Sequence, residues 1–415
     1  MRQIIAASLI FGLAACGLNG TDREAEDSAA ADRSVNATTD NLADSMASRD
    51  GGDTVSDVPD IPDSQDRPIM KAQVVLDRQG FGPGVIDGKM GLSTENALEG
   101  FQEANGLDVT GELDAATKER LARWSSIPAT RVVRIPQDWG KLDYARTPDD
   151  PAEQAKLERL GYQSLDEKLA ERFHTTIETL KALNPNGRPA GMEQATMRSP
   201  AGTASASPSP SASSASPSPT PSASGTGGSE PSPLPSTFKA GQLVRVPNIG
   251  ADRIAPGAVD DPDWQQTLQS LGVGTEQPQV ARIVVSKSED TLKGYDESGK
   301  LVVVFTVTTG SEHDPLPLGD WKVTGVARNT PFSYDPELFW DVPDTEEKQM
   351  LPPGPNGPVG VVWIDLSKEH YGIHGTPEPH TIGRVQSHGC VRLTNWDAAR
   401  LAQMVEPGTK VEFVA

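Results

Sequence analysis

The 415-residue chain has very little cysteine, and its apolar stretches are short. Two cysteines, Cys16 and Cys390, exclude a disulfide scaffold and any metal site built from a cysteine cluster. No apolar run reaches the roughly 20 residues that a membrane-spanning helix needs. Basic residues are also scarce: 37 Lys and Arg stand against 58 Asp and Glu, a net charge of -21. This balance argues against the basic face of a nucleic-acid-binding protein, so no nucleic-acid partner is expected.

Glycine and proline are abundant, with 39 and 35 residues, more than one compact fold accommodates. We therefore expect several domains, since about 150 residues per domain is usual, separated by linkers. Composition divides the chain into a signal peptide (1–15), an acidic tether (16–66), a helical module (67–124), a linker (125–157), a middle module (158–249) with a Pro/Ser-rich insert (190–237), a second linker (250–277) and a mostly-β module (278–415).

The N-terminus has the features of an export signal. Arg2 precedes an apolar stretch from Ile4 to Ala15, too short to span a membrane. The stretch ends Leu-Ala-Ala-Cys at Cys16, which resembles the lipobox of bacterial lipoproteins. The resemblance implies cleavage before Cys16 and lipidation of this residue. Residue 17, which follows the cysteine, is glycine rather than aspartate. The resemblance therefore also implies that the protein is attached to the outer membrane of a Gram-negative bacterium and faces the periplasm. An ordinary secretory signal is the alternative.

The segment after Cys16 is strongly acidic. Residues 17–66 carry 13 Asp and Glu and three Lys and Arg, and they are poor in aromatics. Such a composition predicts disorder. A flexible coil of this length would reach about 40 Å, which suits a tether from a lipid anchor.

Residues 67–124 show helical periodicity interrupted by glycine-rich turns, which predicts three helices. We expect Ser93 or Thr94 to cap the second helix and Asp114 to cap the third. The segment from Val85 to Gly91, followed by Thr94 and Phe101-Gln102, resembles the peptidoglycan-binding type 1 domain, and a second half-repeat follows from Val109 to Thr117. A helical bundle without a ligand is the alternative.

The middle module begins with two capping boxes, Ser164-x-x-Glu167 and Thr175-x-x-Glu178, each of which predicts the start of a helix. The second helix stops at Asn184-Pro185, and a turn followed by a short strand is expected within residues 238–247. Together these features resemble a LysM glycan-binding domain of α/β type. The insert 190–237 is a departure from that pattern, because a Pro/Ser/Ala tract cannot fold by itself. A degenerate spacer is the alternative.

Beyond residue 278 the pattern alternates as strands do, and five strands are predicted at 280–286, 301–308, 320–326, 359–366 and 409–414. One helix is predicted at 396–405, capped by Thr394 or Asn395. We therefore expect a mostly-β domain large enough for its own core.

Four of the six histidines fall close to Cys390: His370, His374, His380 and His388. Three interpretations compete: a structural cysteine with scattered histidines, a zinc site, and a Cys/His nucleophilic enzyme. The spacing of His370 and His374 would suit zinc only on a helix, and the glycines and prolines here oppose a helix. A nucleophilic thiol instead needs a neighbouring base, which His374 could supply across a hairpin.

Glycines and a cation near the thiol favour the enzyme. The amides of Gly375 and Gly389 could serve an oxyanion hole, and Arg392 could hold a carboxylate through two hydrogen bonds.

The motifs His374-Gly375-Thr376 and 387–395, Ser-His-Gly-Cys-Val-Arg-Leu-Thr-Asn, resemble the YkuD-type L,D-transpeptidase signature. The resemblance implies that Cys390 is the nucleophile, His374 the general acid/base, and His388 and Gly389 part of the catalytic site. It places Gly375, Ser387, Arg392 and Asn395 around the substrate.

The implied function is cross-linking of peptidoglycan stem peptides, and so cell-wall biogenesis and cell shape, without metal or cofactor. Peptidoglycan is the expected partner. The acyl acceptor stays open: a stem-peptide amine, water (an L,D-carboxypeptidase) or a protein amine. The alternative that is not an enzyme is a wall-binding scaffold whose catalytic domain is inert. Segment 329–358 is expected to form a substrate-side lid, and the oligomeric state is open.

Overall fold

The computed structural model describes residue 58 and residues 61–192, 232–250, 254–338, 342 and 346–415. All of them belong to one compact unit, Asp50–Ala415. The predicted signal peptide, Cys16, most of the acidic tether and most of the Pro/Ser-rich insert lie outside the described residues. In the part that is described, no helix combines the length and the apolar character needed to cross a bilayer.

The first module is helical, as predicted. It contains a short strand and three helices: α1 (Pro68–Arg78), β1 (Phe81–Gly82), α2 (Leu92–Ala104) and α3 (Ala115–Leu121). Asp114 caps α3 by accepting a hydrogen bond from the Thr117 amide. The predicted cap of α2 is wrong, because this helix begins at Leu92, after Gly91, without a side-chain cap. Thr94 lies inside the helix and accepts a hydrogen bond from Gln73 Nε2 at 3.0 Å.

The two half-repeats of this module are each built around a buried glutamine. Gln73 accepts from the Gly88 amide (2.7 Å) and donates to Thr94. Gln102 accepts from the Thr110 amide (2.8 Å) and donates to Thr117 (2.9 Å). These side chains satisfy the backbone of the two turns, as buried polar groups require. The motif that identifies the module in the sequence is therefore largely a structural one.

The middle module pairs two strands beside two helices: β2 (Thr130–Arg134), α4 (Leu165–Arg172), α5 (Ile177–Leu183) and β3 (Leu243–Pro247). β2 and β3 are antiparallel. Ser164 caps α4 as predicted, but Thr176 caps α5, one residue beyond the predicted Thr175. β2 lies within the stretch predicted as a linker, which is structured because β3 needs a partner strand.

Two polar side chains hold the middle module together across the insert. Buried Asn184 accepts from the Arg245 amide (2.7 Å) and donates to the Arg245 carbonyl (2.8 Å). The buried guanidinium of Arg245 donates to the carbonyls of Ala190 (2.9 Å) and Ile61 (2.7 Å). Residues 61–66 are thus packed against this module, which corrects their placement in a disordered tether. A buried guanidinium requires these acceptors.

The mostly-β module contains one nine-stranded sheet in the order β1-β6-β5-β4-β13-β7-β10-β11-β12. Its strands are β4 (Arg282–Ser286), β5 (Thr291–Tyr295), β6 (Leu301–Thr306), β7 (Gly319–Arg328), β10 (Val362–Leu366), β11 (Gly372–His374), β12 (Val391–Arg392) and β13 (Lys410–Val414). All five predicted strands are present, and β5, β11 and β12 come in addition.

Two helices cover the core of this sheet: α6 (Pro262–Leu271) and α7 (Asn395–Met404). Thr394 caps α7, one of the two predicted caps. α6 lies in the second predicted linker, 250–277. It is structured because Trp264, Leu268 and Leu271 are buried in the same hydrophobic cluster as the sheet, and apolar burial of this kind drives folding.

The helical module joins the nine-stranded sheet. β1 pairs in parallel with β6 at the edge of the sheet, with Phe81 opposite Val304. Gly100 of α2 faces the same strand so closely that a Cβ there would lie 2.4 Å from a Val304 methyl group. The absence of a side chain at residue 100 thus allows the helix to contact the strand.

Segment 329–358 carries a second small sheet, β8 (Phe332–Tyr334) with β9 (Gln349–Leu351). Phe339 and Trp340 lie outside the described residues. The end of the segment is fixed to the middle module: the Leu160 amide donates to the Pro353 carbonyl at 3.0 Å, and Asn356 donates to Glu167 at 2.9 Å. The predicted lid role of the segment stays a prediction.

Candidate active site

The predicted nucleophile and base lie on neighbouring strands at the end of the sheet. β11 and β12 pair in parallel, with Ile373 opposite Val391 and His374 opposite Arg392. The expected hairpin is therefore wrong, and residues 375–390 form a crossover. Cys390 directly precedes β12, and extending the register places it opposite Gly372. His374 is two residues beyond Gly372 on β11, so the two positions face the same side of the sheet. The extended register places Cys390 on that side as well.

The Cys390 side chain contacts the backbone of the loop before β11. Its Sγ is 3.8 Å from the His370 carbonyl oxygen, to which the thiol donates. Burial raises the pKa of this thiol, and the opposing effects of the Gly372 amide and the Arg392 charge are smaller. Cys390 is therefore a thiol rather than a thiolate at neutral pH. It needs a base to be activated.

His374 is buried and held in one tautomer. Its Nδ1 is 2.7 Å from the Gly375 carbonyl oxygen, a pure acceptor, so Nδ1 carries the proton and Nε2 is left as the base. Burial, assisted by the positive charge of Arg392, lowers the pKa of His374 to about 3. The imidazole is therefore neutral at neutral pH, the state in which it can accept a proton.

An aromatic ring fixes the orientation of this imidazole. The rings of Trp363 and His374 are stacked, with centroids 5.5 Å apart and planes at 20°. Trp363, on β10, also lies over Gly372, where a Cβ would be 2.5 Å from the indole. Sequence reasoning missed Trp363. Its position opposite His374 follows only from the β10–β11 register.

The position before Cys390 requires a glycine, Gly389, because of its backbone conformation and its surroundings. It has φ +100°, and a Cβ would lie 2.7 Å from the Tyr371 ring. A left-handed conformation favours glycine. Tyr371 is a second residue that sequence reasoning missed. Burial raises the pKa of its hydroxyl, and the negative charge of Asp314, joined by that of Cys390 once the thiol ionises at high pH, adds to this effect.

The structure places Gly375 and Asn395 differently from the prediction. The Gly375 amide donates to the Val362 carbonyl at 3.3 Å, so it is used within the sheet rather than offered to an oxyanion. Asn395 is fully buried, and its Nδ2 donates to Glu171 at 2.7 Å and to the Pro355 carbonyl at 3.0 Å. Its side chain is therefore occupied inside the protein and does not border an open cleft.

Ser387 is also a structural residue in this arrangement. Its hydroxyl donates to the Cys390 carbonyl at 2.6 Å, which closes the turn that carries the nucleophile. Its backbone is bonded to Thr309 and Ser311. Thr308 holds the next strand in the same way, exchanging two backbone hydrogen bonds with Arg392. The nucleophile is thus supported from the chain that follows β6.

Arg392 and His388 remain close to the reaction centre. Both are partly buried. The charge of Arg392 acts on both groups: it adds to the burial that lowers the pKa of His374, and it opposes the larger effect of burial that raises the pKa of Cys390. A cation is therefore present where a substrate carboxylate could bind.

The other histidines are not brought together. His370 and His380 are exposed, whereas His374 is buried. Among the residues that the structure describes, no three His, Cys, Asp or Glu side chains form a group able to hold a metal.

Comparison with protein families identifies both ends of the described chain. Residues 280–413 match the family model of the L,D-transpeptidase catalytic domain, and residues 65–121 match that of a peptidoglycan binding domain.

Individual relatives agree with the family model. A protein of Fuscovulum blasticum, named as an L,D-transpeptidase encoded in the ATP synthase subunits region, is 42% identical over 151 residues, which cover 36% of this chain and 75% of that protein. A protein of Bacillus licheniformis, named as L,D-transpeptidase YkuD, is 34% identical over 132 residues, 32% of this chain and 64% of the relative. The chain thus spans less than two thirds of this second relative.

Among solved structures, an L,D-transpeptidase from Mycobacterium smegmatis is 20% identical, with a TM-score of 0.27, over 32% of this chain and 58% of that one.

Proposed function

The chain belongs to the L,D-transpeptidase family, and from this membership we propose that it is a cysteine-dependent acyltransferase acting on peptidoglycan stem peptides. The observation that carries the proposal is the pair of Cys390 and His374 on neighbouring strands, with a neutral imidazole whose Nε2 is free of the proton. This is the combination of nucleophile and base that acyl transfer requires.

In the first half-reaction, Sγ of Cys390 attacks the carbonyl carbon of the peptide bond between the third residue of a stem tetrapeptide and its terminal D-Ala. Nε2 of His374 takes the thiol proton during the attack, because both groups are neutral at rest. The amide N–H of Gly389 is proposed to stabilise the oxyanion. The C–N bond then breaks, and His374 gives its proton to the departing D-Ala amine. The product is a thioester on Cys390.

In the second half-reaction, the side-chain amine of a diamino acid on a neighbouring stem attacks the thioester carbonyl. His374 accepts the amine proton and returns it to the sulfur as the C–S bond breaks. We propose that Arg392 holds the donor carboxylate, since a guanidinium binds carboxylates through two hydrogen bonds, and that His388 and Ser387 support the turn around Cys390.

The other modules are proposed to hold the enzyme on the wall. The helical module would bind peptidoglycan, and the middle module, with its two helices and closing strand, would act as a LysM-like glycan-binding unit. The helical module lies beside the catalytic crossover: a Cβ on Gly383 would be 2.9 Å from Leu92. Wall binding would therefore raise the local concentration of stem peptides near Cys390.

The lipidated Cys16 would attach the chain to the outer membrane, facing the periplasm. Membrane fractionation of the Cys16→Ser variant tests this attachment, and retention of that variant in membranes contradicts it.

The test of the activity is product analysis with purified protein, disaccharide-tetrapeptide and mass spectrometry. Wild type should release D-Ala and form cross-linked dimers, whereas the Cys390→Ala variant should form none while keeping its fold by circular dichroism. Trimmed tripeptide as the sole product would indicate a carboxypeptidase instead. Turnover by Cys390→Ala at the wild-type rate would overturn the proposal.

A further inference from the structure

A polar side chain of the middle module reaches the core of the catalytic module. Glu171 lies on α4, and its Oε1 accepts a hydrogen bond from Asn395 Nδ2 at 2.7 Å. Both residues are buried, Asn395 completely and Glu171 to all but 8% of its surface. The two residues are 224 positions apart in the chain. Burying a carboxylate between two modules costs folding free energy unless the group is well hydrogen-bonded. We therefore expect Glu171 to serve a function at this position.

Asn395 in turn packs against the backbone beside the proposed base. Its Oδ1 accepts from the Val361 amide at 3.3 Å. A Cβ on Gly375 would lie 2.2 Å from Asn395 Oδ1, and a Cβ on Gly360 would lie 1.8 Å from it. Both positions are glycine, so the amide group fits directly against the two backbones. The position of Asn395 therefore limits where the Gly375 peptide can lie.

The Gly375 peptide fixes the imidazole. Its carbonyl oxygen accepts from Nδ1 of His374 at 2.7 Å, which selects the tautomer with Nε2 as the base. Displacement of this carbonyl would weaken that hydrogen bond and release the ring. A contiguous series of contacts thus runs from Glu171 through Asn395 and Gly375 to His374.

We propose that Glu171 is a positioning residue for His374, contributed by the middle module and acting through Asn395. The inference rests on the proposed role of His374 as the base. It gives the middle module a function within the reaction, beyond any binding of glycan: the catalytic module reaches its full rate only with α4 docked against α7. The required feature of residue 171 is an oxygen that accepts from Asn395.

The test compares three substitutions at residue 171 in the full chain, with kcat and KM measured on the donor tetrapeptide. Glu171→Leu removes the acceptor at similar volume, and Glu171→Asp shortens the side chain. Both should lower kcat by about tenfold or more, because small misplacements of a catalytic group are this costly. KM should stay at the wild-type value, since no substrate contact changes. Glu171→Gln keeps an acceptor oxygen, so its kcat should stay at the wild-type value.

The matched control is Asp166→Leu on the same helix. Asp166 is also a buried carboxylate, but it accepts from the Thr237 and Phe238 amides of its own module. This variant should lose stability in thermal melts without the fall in kcat. A direct probe is the Nδ1 proton of His374 in protein labelled with ¹⁵N-histidine. Its slowly exchanging signal should be lost in Glu171→Leu and kept in Asp166→Leu.

Three results would overturn the inference: wild-type kcat in folded Glu171→Leu and Glu171→Asp, a Glu171→Gln variant as impaired as Glu171→Leu, or an equal fall in Asp166→Leu. The His374→Ala variant, measured in the same assay, distinguishes failure of the proposed base from failure of the positioning role of Glu171. If it retains activity, the proposed base is wrong. If it is inactive while the Glu171 variants are unimpaired, only the positioning role fails.

Discussion

Arg400 and Asp77 are 323 residues apart in the chain and form a bidentate ion pair. Nη1 of Arg400 is 2.8 Å from Asp77 Oδ1, and Nη2 is 2.9 Å from Oδ2. Asp77 is on α1 of the helical module, and Arg400 is on α7 beside the catalytic strands. Burial alone would raise the pKa of Asp77, but the charges of Arg400 and His174 outweigh this effect and hold it well below its usual range.

The middle module contributes to the same buried cluster. His174 Nδ1 is 3.3 Å from Asp77 Oδ1, and the imidazole stacks on Trp396 with centroids 4.8 Å apart. Burial raises the pKa of the neighbouring Asp397 to about 6, against the charge of Arg400. Three modules thus meet at one set of charges, and we expect them to unfold together.

Removal of one charge from this cluster should destabilise the whole described unit. Asp77→Asn leaves the buried guanidinium of Arg400 without its full counter-charge, and breaking such a pair costs about 3–5 kcal/mol. Urea denaturation followed by fluorescence should show a lower midpoint in a single transition. Asp138→Asn removes an exposed ion pair with Lys141 and should leave the midpoint unchanged. Two separated transitions in the wild type would contradict a single cooperative unit.

Loss of the His374 imidazole should slow acylation of Cys390 by about 100-fold or more, the usual contribution of a general base. The family resemblance implies that a carbapenem acylates the thiol, and intact-mass spectrometry follows the adduct with time. The control is His388→Ala, which should be less impaired, and Cys390→Ala should form no adduct. A greater effect of His388→Ala would mean that the base has been assigned to the wrong histidine.

The pH dependence of acylation should reveal the low pKa of His374. With an ordinary pKa of about 6.5, the fraction of His374 in the base form would decrease about 25-fold between pH 7 and pH 5. Burial and Arg392 lower the pKa to about 3, so the imidazole stays unprotonated over this range. The rate of carbapenem adduct formation should therefore show no loss of that size from pH 7 to pH 5. A titration near pH 6.5 that is absent in His374→Ala would contradict this expectation.

Ionisation of Glu171 should destabilise the folded protein as the pH rises. Burial raises the pKa of Glu171 to about 7, whereas the unfolded chain titrates near 4.5. The stability from the neutral carboxyl is fully present below pH 4.5 and is lost as the pH rises through 7. Glu171→Gln cannot ionise. Its stability relative to the wild type should increase by about 1–3 kcal/mol between pH 4.5 and pH 8.

Denaturant melts at both pH values measure this change. A constant difference between wild type and Glu171→Gln at both pH values would contradict the ionisation of a buried carboxyl.

The sequence determined the identity of the helical module and of the mostly-β module, because their markers are local. The Gly-Cys-Val-Arg run at Cys390, the alternating strands and the Thr394 cap depend on neighbours within a few residues. The hydrogen bonds of Gln73 and Gln102 reach further, to partners 8 to 21 residues away, but they stay within one module. Such short patterns predict the same local structure regardless of the residues that are distant in the chain. The family and the candidate nucleophile and base could therefore be predicted before any fold was known.

Only the tertiary structure decided which residues surround that pair. The antiparallel register of β10 and β11 places Trp363 on His374, and long-range packing assigns Asn395 to Glu171 rather than to a substrate. It also brings Arg400 to Asp77. These contacts join residues that are 11 to 323 positions apart. The periodicity of a sequence does not indicate which distant side chain will satisfy a buried polar group. The linkers proved structured for the same reason: β2 and α6 are stabilised by partners far away in the chain.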